Sequence, residues 1–239
     1  MGIDLEELDY QRTPIGELVL RRRRFPQLGS RDIFEVILND EFLMSSLFTA
    51  GETALAELGL QHVDAESLDI IVGGLGLGYT AAAALADPRV RSMTVIEALP
   101  SVIDWHRRGL LPVSTQVVGD RRCVLHAGDF FALAREDFSA IHTDTGARRY
   151  HAVLLDIDHS PRHVLHPGNR EFYGAAELSR LHARLHRAGV FALWSNDPPD
   201  RDFSAVLDEI FTTSEAHVIR FDNPLTGIEG TNTIYVAQP

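Results

Sequence analysis

The stretch DIIVGGLGLGYTAAAAL, Asp69 to Leu85, leaves a folding chain few choices. A short apolar run drives into four closely spaced glycines, and an alanine-rich segment follows. A strand that ends in glycines and opens into a helix is the joint of an alternating α/β layer. Glycine lets the backbone turn tightly there and lets a ligand approach without a Cβ in the way.

Two spacings overlap in this loop. Gly76 to Ala81 fits the dinucleotide fingerprint G-x-G-x-x-A, with Glu97 following at a distance suited to a ribose contact. Gly74, Gly76 and Gly78 equally fit the G-x-G-x-G of class I methyltransferase-type folds. Glu97 ends the next strand and can accept hydrogen bonds from ribose hydroxyls in either case. A tight turn that merely packs a helix on a sheet remains open.

The pattern from Leu68 onward repeats strand and helix. LDIIVGG, SMTVIEA, RCVLHAGD, HAVLLDID and VFALWSN read as five buried strands. Helices are expected over Tyr79 to Ala86, from Pro100 to Gly109, from Glu171 to Gly189, and over DFSAVLDEIF. EAHVIRFD and NTIYVAQ close the chain as an antiparallel pair around NPLTGIEG. Such alternation implies a mainly parallel sheet covered on both faces, with ligands beyond the strand C-termini. Residues 1–60 differ. IGELVLRRRR and DIFEVILND read as a hairpin, and SSLFTAGETALAEL as a connecting helix with Leu47, Ala50, Ala54, Leu55 and Leu58 on its apolar side. The expected division is therefore 1–60, a small β unit with a helix, and 61–239, a Rossmann-like nucleoside-binding catalytic domain.

Chemistry gathers at the strand ends. The third strand closes in Gly128-Asp129, followed by Phe130 and Phe131. A carboxylate there can accept a bond from an adenine amino group, or cap the next helix, or both. The fourth strand delivers Asp156 and Asp158, which alternation would put on one side. Two close acids can bind an ammonium group or act as general base toward an amine. Otherwise one caps the next turn and the other is solvated.

The order of these elements resembles the spermidine synthases, or polyamine aminopropyltransferases, over nearly the whole chain. YQRTPIGELVLR resembles the family's first hairpin, IIVGGLGLGYT its glycine strand–loop, VIEA its ribose-binding acid and AGDFF its adenine element. LLDIDHSP…FY resembles the catalytic Asp loop, which places Asp156 on the catalytic aspartate, and NPLTG resembles a turn near the family's C-terminus. The resemblance implies a small N-terminal β-domain before a seven-stranded methyltransferase-type sheet, and a homodimer. It implies polyamine biosynthesis: transfer of aminopropyl from decarboxylated S-adenosylmethionine to an amine, releasing methylthioadenosine. Asp156 would orient and deprotonate the amine, and Asp158, Tyr173 and Trp194 would shape the acceptor pocket.

The departures are specific. The family's loop carries an aspartate that holds the aminopropyl ammonium, and Gly76 stands there. Of the acids on the family's connecting helix, Glu52 alone remains as a substrate-binding candidate. A methyltransferase using S-adenosylmethionine itself is the alternative, a non-catalytic nucleoside-binding protein a further one, and an NAD-dependent oxidoreductase a distant one.

Other signals narrow the class. The net charge of −12 disfavours a nucleic-acid partner and suits a cationic substrate. No apolar run nears the roughly 18 residues of a membrane helix. The acidic N-terminus lacks a signal-peptide core, and Glu6 breaks the myristoylation pattern at Gly2. The single cysteine, Cys123, fits a reducing cytoplasm and reads as a structural thiol. His159, His163 and His166 lie in a proline-broken loop without standard ligand spacing, so no metal is expected. His182 and His186 are expected to face solvent on a helix. SNDPPD reads as a turn opening a helix, and Arg21 to Arg24 as protection of a strand edge.

Overall fold

The computed structural model describes residues 4–29, 31–141 and 148–239. The chain opens with an antiparallel sheet in the order β1-β2-β3-β4, formed by β1 (Asp4–Thr13), β2 (Gly16–Arg24), β3 (Asp32–Leu38) and β4 (Glu41–Ser45). Asn39 and Asp40 both take positive φ, 51° and 65°, in the two-residue turn between β3 and β4. The arginines of β2 do not guard an edge, because β2 lies inside the sheet. Acids on the flanking strands neutralise them: Arg22 bonds Glu6 and Asp32, Arg24 bonds Asp4 and Asp32, and Arg21 reaches Glu35 at 2.7 Å. Opposite charges on facing strand positions stabilise the register.

α1 (Ala50–Gln61) then crosses onto the second sheet. Its buried face is Gly51, Leu55, Ala56, Gly59 and Leu60, rotated from the expected one. The cause lies in the glycines. A Cβ on Gly59 would stand 2.6 Å from Leu154, and one on Gly51 2.4 Å from the Trp194 indole nitrogen. The helix touches the sheet through its backbone, and an apolar count does not register a glycine contact.

The larger sheet has seven strands in the order β10-β11-β9-β8-β5-β6-β7. They are β5 (Leu68–Gly73), β6 (Val90–Glu97), β7 (Cys123–Ala127), β8 (Tyr150–Leu155), β9 (Leu185–Ser195), β10 (Thr213–Asp222) and β11 (Glu229–Gln238). β7-β6-β5-β8-β9 is parallel, and the β10–β11 hairpin adds antiparallel to β9. Strand order reverses between β6 and β8 on either side of β5, and a crevice opens at such a switch point. Helices α2 (Tyr79–Ala86), α3 (Pro100–Arg107), α4 (Ser114–Val118), α5 (Phe130–Arg135), α6 (Ala175–Ala183) and α7 (Arg201–Ile210) cover the faces. Alternation along β5 sends Ile70 and Val72 into one core, with α1, α2 and the Leu18, Leu20 and Val36 of the first sheet. Ile71 enters the other, an aromatic cluster under α5, α6 and α7.

The helix expected to end at Gly189 stops at Ala183, and Leu185 already pairs with Tyr150 in the sheet. His186 therefore lies on a strand, its ring stacked on His151 at 4.0 Å, and does not face solvent from a helix. His182 stays on α6 with its ring edge-on to Phe211. The short helix α4 was not expected, and α5 is the helix that the capping role of Asp129 implied. Among the described residues, no helix is long and apolar enough to cross a membrane.

Candidate active site

The glycine loop is pressed from three sides. Gly74, Gly76 and Gly78 take φ of 91°, 47° and 89°, values that L side chains rarely adopt. A Cβ on Gly74 would fall 2.0 Å from the Asp156 carbonyl oxygen. One on Gly78 would lie 2.6 Å from the His106 ring, and one on Gly76 3.1 Å from the Met44 sulfur. His106 is buried and sits 3.0 Å from the Gly76 carbonyl oxygen, and burial lowers its pKa. The loop is thus held by β8, by α3 and by β4 at once.

A cavity of about 320 Å³ opens on one side of this loop, within the usual range for a small-molecule site. Gly74, Gly76, Glu97 and Asp129 line it, with Phe130 and Phe131 as apolar wall. Glu97 is held by backbone donors: the Leu75 N–H reaches Oε2 at 3.0 Å and the Leu99 N–H reaches Oε1 at 2.8 Å. Burial pushes its carboxyl up, while those amides pull it down. Asp129 caps α5, accepting from the Phe131 N–H at 2.9 Å and the Ala132 N–H at 3.3 Å. Gly128 lies outside the cavity wall; its N–H donates to the Glu97 carbonyl at 2.9 Å and so ties β7 to β6.

A second cavity of about 410 Å³ opens on the other side, lined by Glu52, Gly78, Tyr79, Asp156, His159 and Trp194 among others. Asp156, Ile157, Gly76 and Met44 border both cavities. Asp156 follows the last residue of β8, and its N–H bonds the Gly73 carbonyl at 2.8 Å. The Thr80 hydroxyl, in the first turn of α2, donates to Asp156 Oδ2 at 2.7 Å and lies 3.3 Å from the Glu52 carbonyl oxygen. Burial and the neighbouring Asp156 carboxylate push the Glu52 carboxyl up. Burial pushes Asp156 up as well, against the Thr80 hydroxyl, which pulls it down. Two such carboxyls share protons near neutrality and titrate as a pair. The Trp194 indole N–H is buried in this wall and meets no partner among the described residues.

Asp158 and Tyr173 stand elsewhere. β8 ends at Leu155, so strand alternation does not extend to Asp158, and the two acids do not face one space. Asp158 is 1% exposed. It accepts from the Leu165 N–H at 2.6 Å, from Asn169 Nδ2 at 2.9 Å and from the Tyr173 hydroxyl at 2.7 Å. Burial raises the pKa of both Asp158 and Tyr173. Tyr173 packs among Phe131, Phe172 and Phe203. Both lie outside the two cavity walls. Together they anchor the segment that delivers Leu165, His166 and Asn169 to the first cavity.

The remaining candidates are structural in their contacts. His163 pairs with Asp197 at 2.7 Å, and the Ser160 hydroxyl donates to the same carboxylate oxygen at 2.6 Å. Asp200 of SNDPPD caps α7. Among the described residues no cluster of three or more His, Cys, Asp or Glu side chains is arranged to hold a metal ion. Cys123 is half-buried on β7, and burial pushes its thiol up to about 12. Thr80 and Met44 were not singled out in the sequence, and His159 was weighed only as a metal ligand. Thr80 alone carried a signal, a short hydroxyl side chain beside Tyr79 at the head of an alanine-rich helix.

No protein-family model and no curated protein matches the chain. Solved structures do match. A spermidine synthase in complex with the transition-state analogue AdoDATO superposes with a TM-score of 0.72, at 14% identity, over 97% of this chain and 72% of that one. The spermidine synthase from Thermotoga maritima gives a TM-score of 0.71, at 15% identity, with the same coverage. The likeness takes in both sheets, and the chain has a spermidine synthase-like fold.

Proposed function

We propose that the protein is a transferase that moves an aminopropyl group from decarboxylated S-adenosylmethionine to an amine. The observation that carries this reading is the meeting of two cavities at Asp156. One has the buried Glu97 and the capping Asp129 in its wall, acceptors suited to the hydroxyl and amino groups of a nucleoside. The other has Glu52, Asp156 and Trp194, a set suited to a cationic amine.

A sulfonium is a good leaving group, so the protein's task is mainly positioning for in-line attack. The amine nitrogen attacks the propyl carbon bonded to sulfur. The new N–C bond forms as the C–S bond breaks, and its electron pair stays on sulfur as a neutral thioether. The excess proton on nitrogen passes to Asp156. A carboxyl raised by burial is a better proton acceptor near neutral pH than an exposed one.

Methyl transfer from intact S-adenosylmethionine is the second reading. It is favoured by the apolar contact of Gly76 with Met44, where the family resemblance would place a carboxylate for the donor's ammonium. The test is product analysis. Decarboxylated S-adenosylmethionine and a panel of primary amines should yield methylthioadenosine, and Asp156→Asn should lower that rate at least about 100-fold. Turnover only of intact S-adenosylmethionine would replace the first reading with the second.

A further inference from the structure

The acceptor cavity is chemically one-sided. Among its described lining residues, Glu52 and Asp156 are the only carboxylates. The two lie close enough for the Asp156 charge to act on Glu52, and the Thr80 hydroxyl joins the Asp156 carboxylate to the Glu52 backbone carbonyl. The end of the cavity toward β10, three strands from β8 in the sheet, is aromatic. Phe48, from the link between β4 and α1, meets Phe221 of β10 with ring centroids 5.8 Å apart. The Phe221 ring lies close over Gly230 of β11, where a Cβ would stand 2.4 Å from it. The Trp194 indole of β9 lies between the two ends, beside Gly51 and Asn232, and Asn223 and Asn232 supply uncharged polar groups.

We infer that the acceptor is a monoamine with an aromatic or broad apolar body, rather than a linear diamine. The assignment rests on the transfer chemistry proposed above. A linear diamine carries an ammonium at each end. Its first ammonium finds the acids; its second would lose hydration against phenyl rings with no carboxylate to replace the water. An aryl group loses nothing polar there and can pack against the Phe48–Phe221 pair. The charge agrees. Two carboxyls crowded at one end and sharing a proton present about one negative charge to one ammonium.

The test is calorimetric titration of 2-phenylethylamine and of butane-1,4-diamine into the full chain saturated with methylthioadenosine, for the wild type and for Phe221→Ala. The expected result is phenylethylamine binding at least about tenfold tighter than the diamine, with Phe221→Ala erasing that margin and leaving diamine affinity within about twofold. Methylthioadenosine affinity is the control for a folded variant. Equal or tighter binding of the diamine overturns the assignment, as does a preference indifferent to Phe221→Ala or an absence of binding by either amine. In each of these cases methylthioadenosine binding leaves the transferase reading standing. Failure of methylthioadenosine to bind the wild type overturns that reading, and this assignment with it.

Discussion

The Thr80 hydroxyl donates to Asp156 Oδ2 across 2.7 Å, joining the first turn of α2 to the end of β8 at the border of both cavities. One hydrogen bond thus links the glycine loop to the candidate base. Thr80→Val keeps the shape and removes that donor. Asp156 then loses the group that lowers its pKa. The acid limb of the pH–rate profile should move to higher pH, and the rate at pH 7 should fall about tenfold. The stability cost should be about 1 kcal/mol. An unmoved profile would remove Thr80 from the mechanism.

Glu52 and Asp156 set a pH dependence of stability. Their folded pKa values are raised, so the native state holds protons that the unfolded chain releases from about pH 4 upward. The contribution is fully present below that pH and is lost as pH rises through the raised range. Glu52→Gln removes the group pushed up most. Its melting temperature should exceed that of the wild type on the alkaline side of neutral, by an amount equivalent to about 1–2 kcal/mol, and the gap should close toward pH 4. Thermal melts across pH check this; a gap that widens in acid would contradict it.

Gly74 and Gly76 of the loop should differ in cost. Gly74→Ala would drive a Cβ against the Asp156 backbone, which cannot yield without shifting the candidate base. It should cost about 3 kcal/mol or more and abolish transfer. Gly76→Ala meets only the flexible end of Met44, at a φ of 47°. It should cost about 1–2 kcal/mol. Urea denaturation orders the two variants.

Tyr173→Phe separates anchoring from chemistry. It strips one donor from the buried Asp158 and should cost about 1–3 kcal/mol. The loosened segment carries Leu165, His166 and Asn169, so the donor should bind more weakly. Turnover at saturating donor should stay within about twofold, because Asp156 is untouched. A loss of turnover as deep as that of Asp156→Asn would make Tyr173 part of the chemistry.

The α/β layer was legible because glycines, apolar runs and helix caps are local signals. So were the closing hairpin and the placing of Asp156 at the end of β8. β1 was obscured by its acids: DLEELD shows no alternation, since its charges answer the arginines of β2 across the sheet. The face of α1 was misread because Gly51 and Gly59 make its closest contacts. The end of α6 was misread because LHRAG has helical composition, and only pairing with Tyr150 turns Leu185 into a strand. The pairing of Asp158 with Asp156 assumed a strand that stops one residue before the first of them. Thr80 against Asp156 spans 76 positions of sequence, and no local pattern encodes it.

The most direct measurement is a thermal-shift comparison of decarboxylated S-adenosylmethionine, S-adenosylmethionine and NADH at matched concentration. A ligand at about 100 times its dissociation constant adds roughly 2.7 kcal/mol of stability, well within reach of the method. The account predicts the largest shift with the decarboxylated donor and none with NADH. A larger shift with intact S-adenosylmethionine would contradict aminopropyl transfer in favour of methyl transfer, and a shift with NADH alone would contradict the assignment of the glycine loop itself.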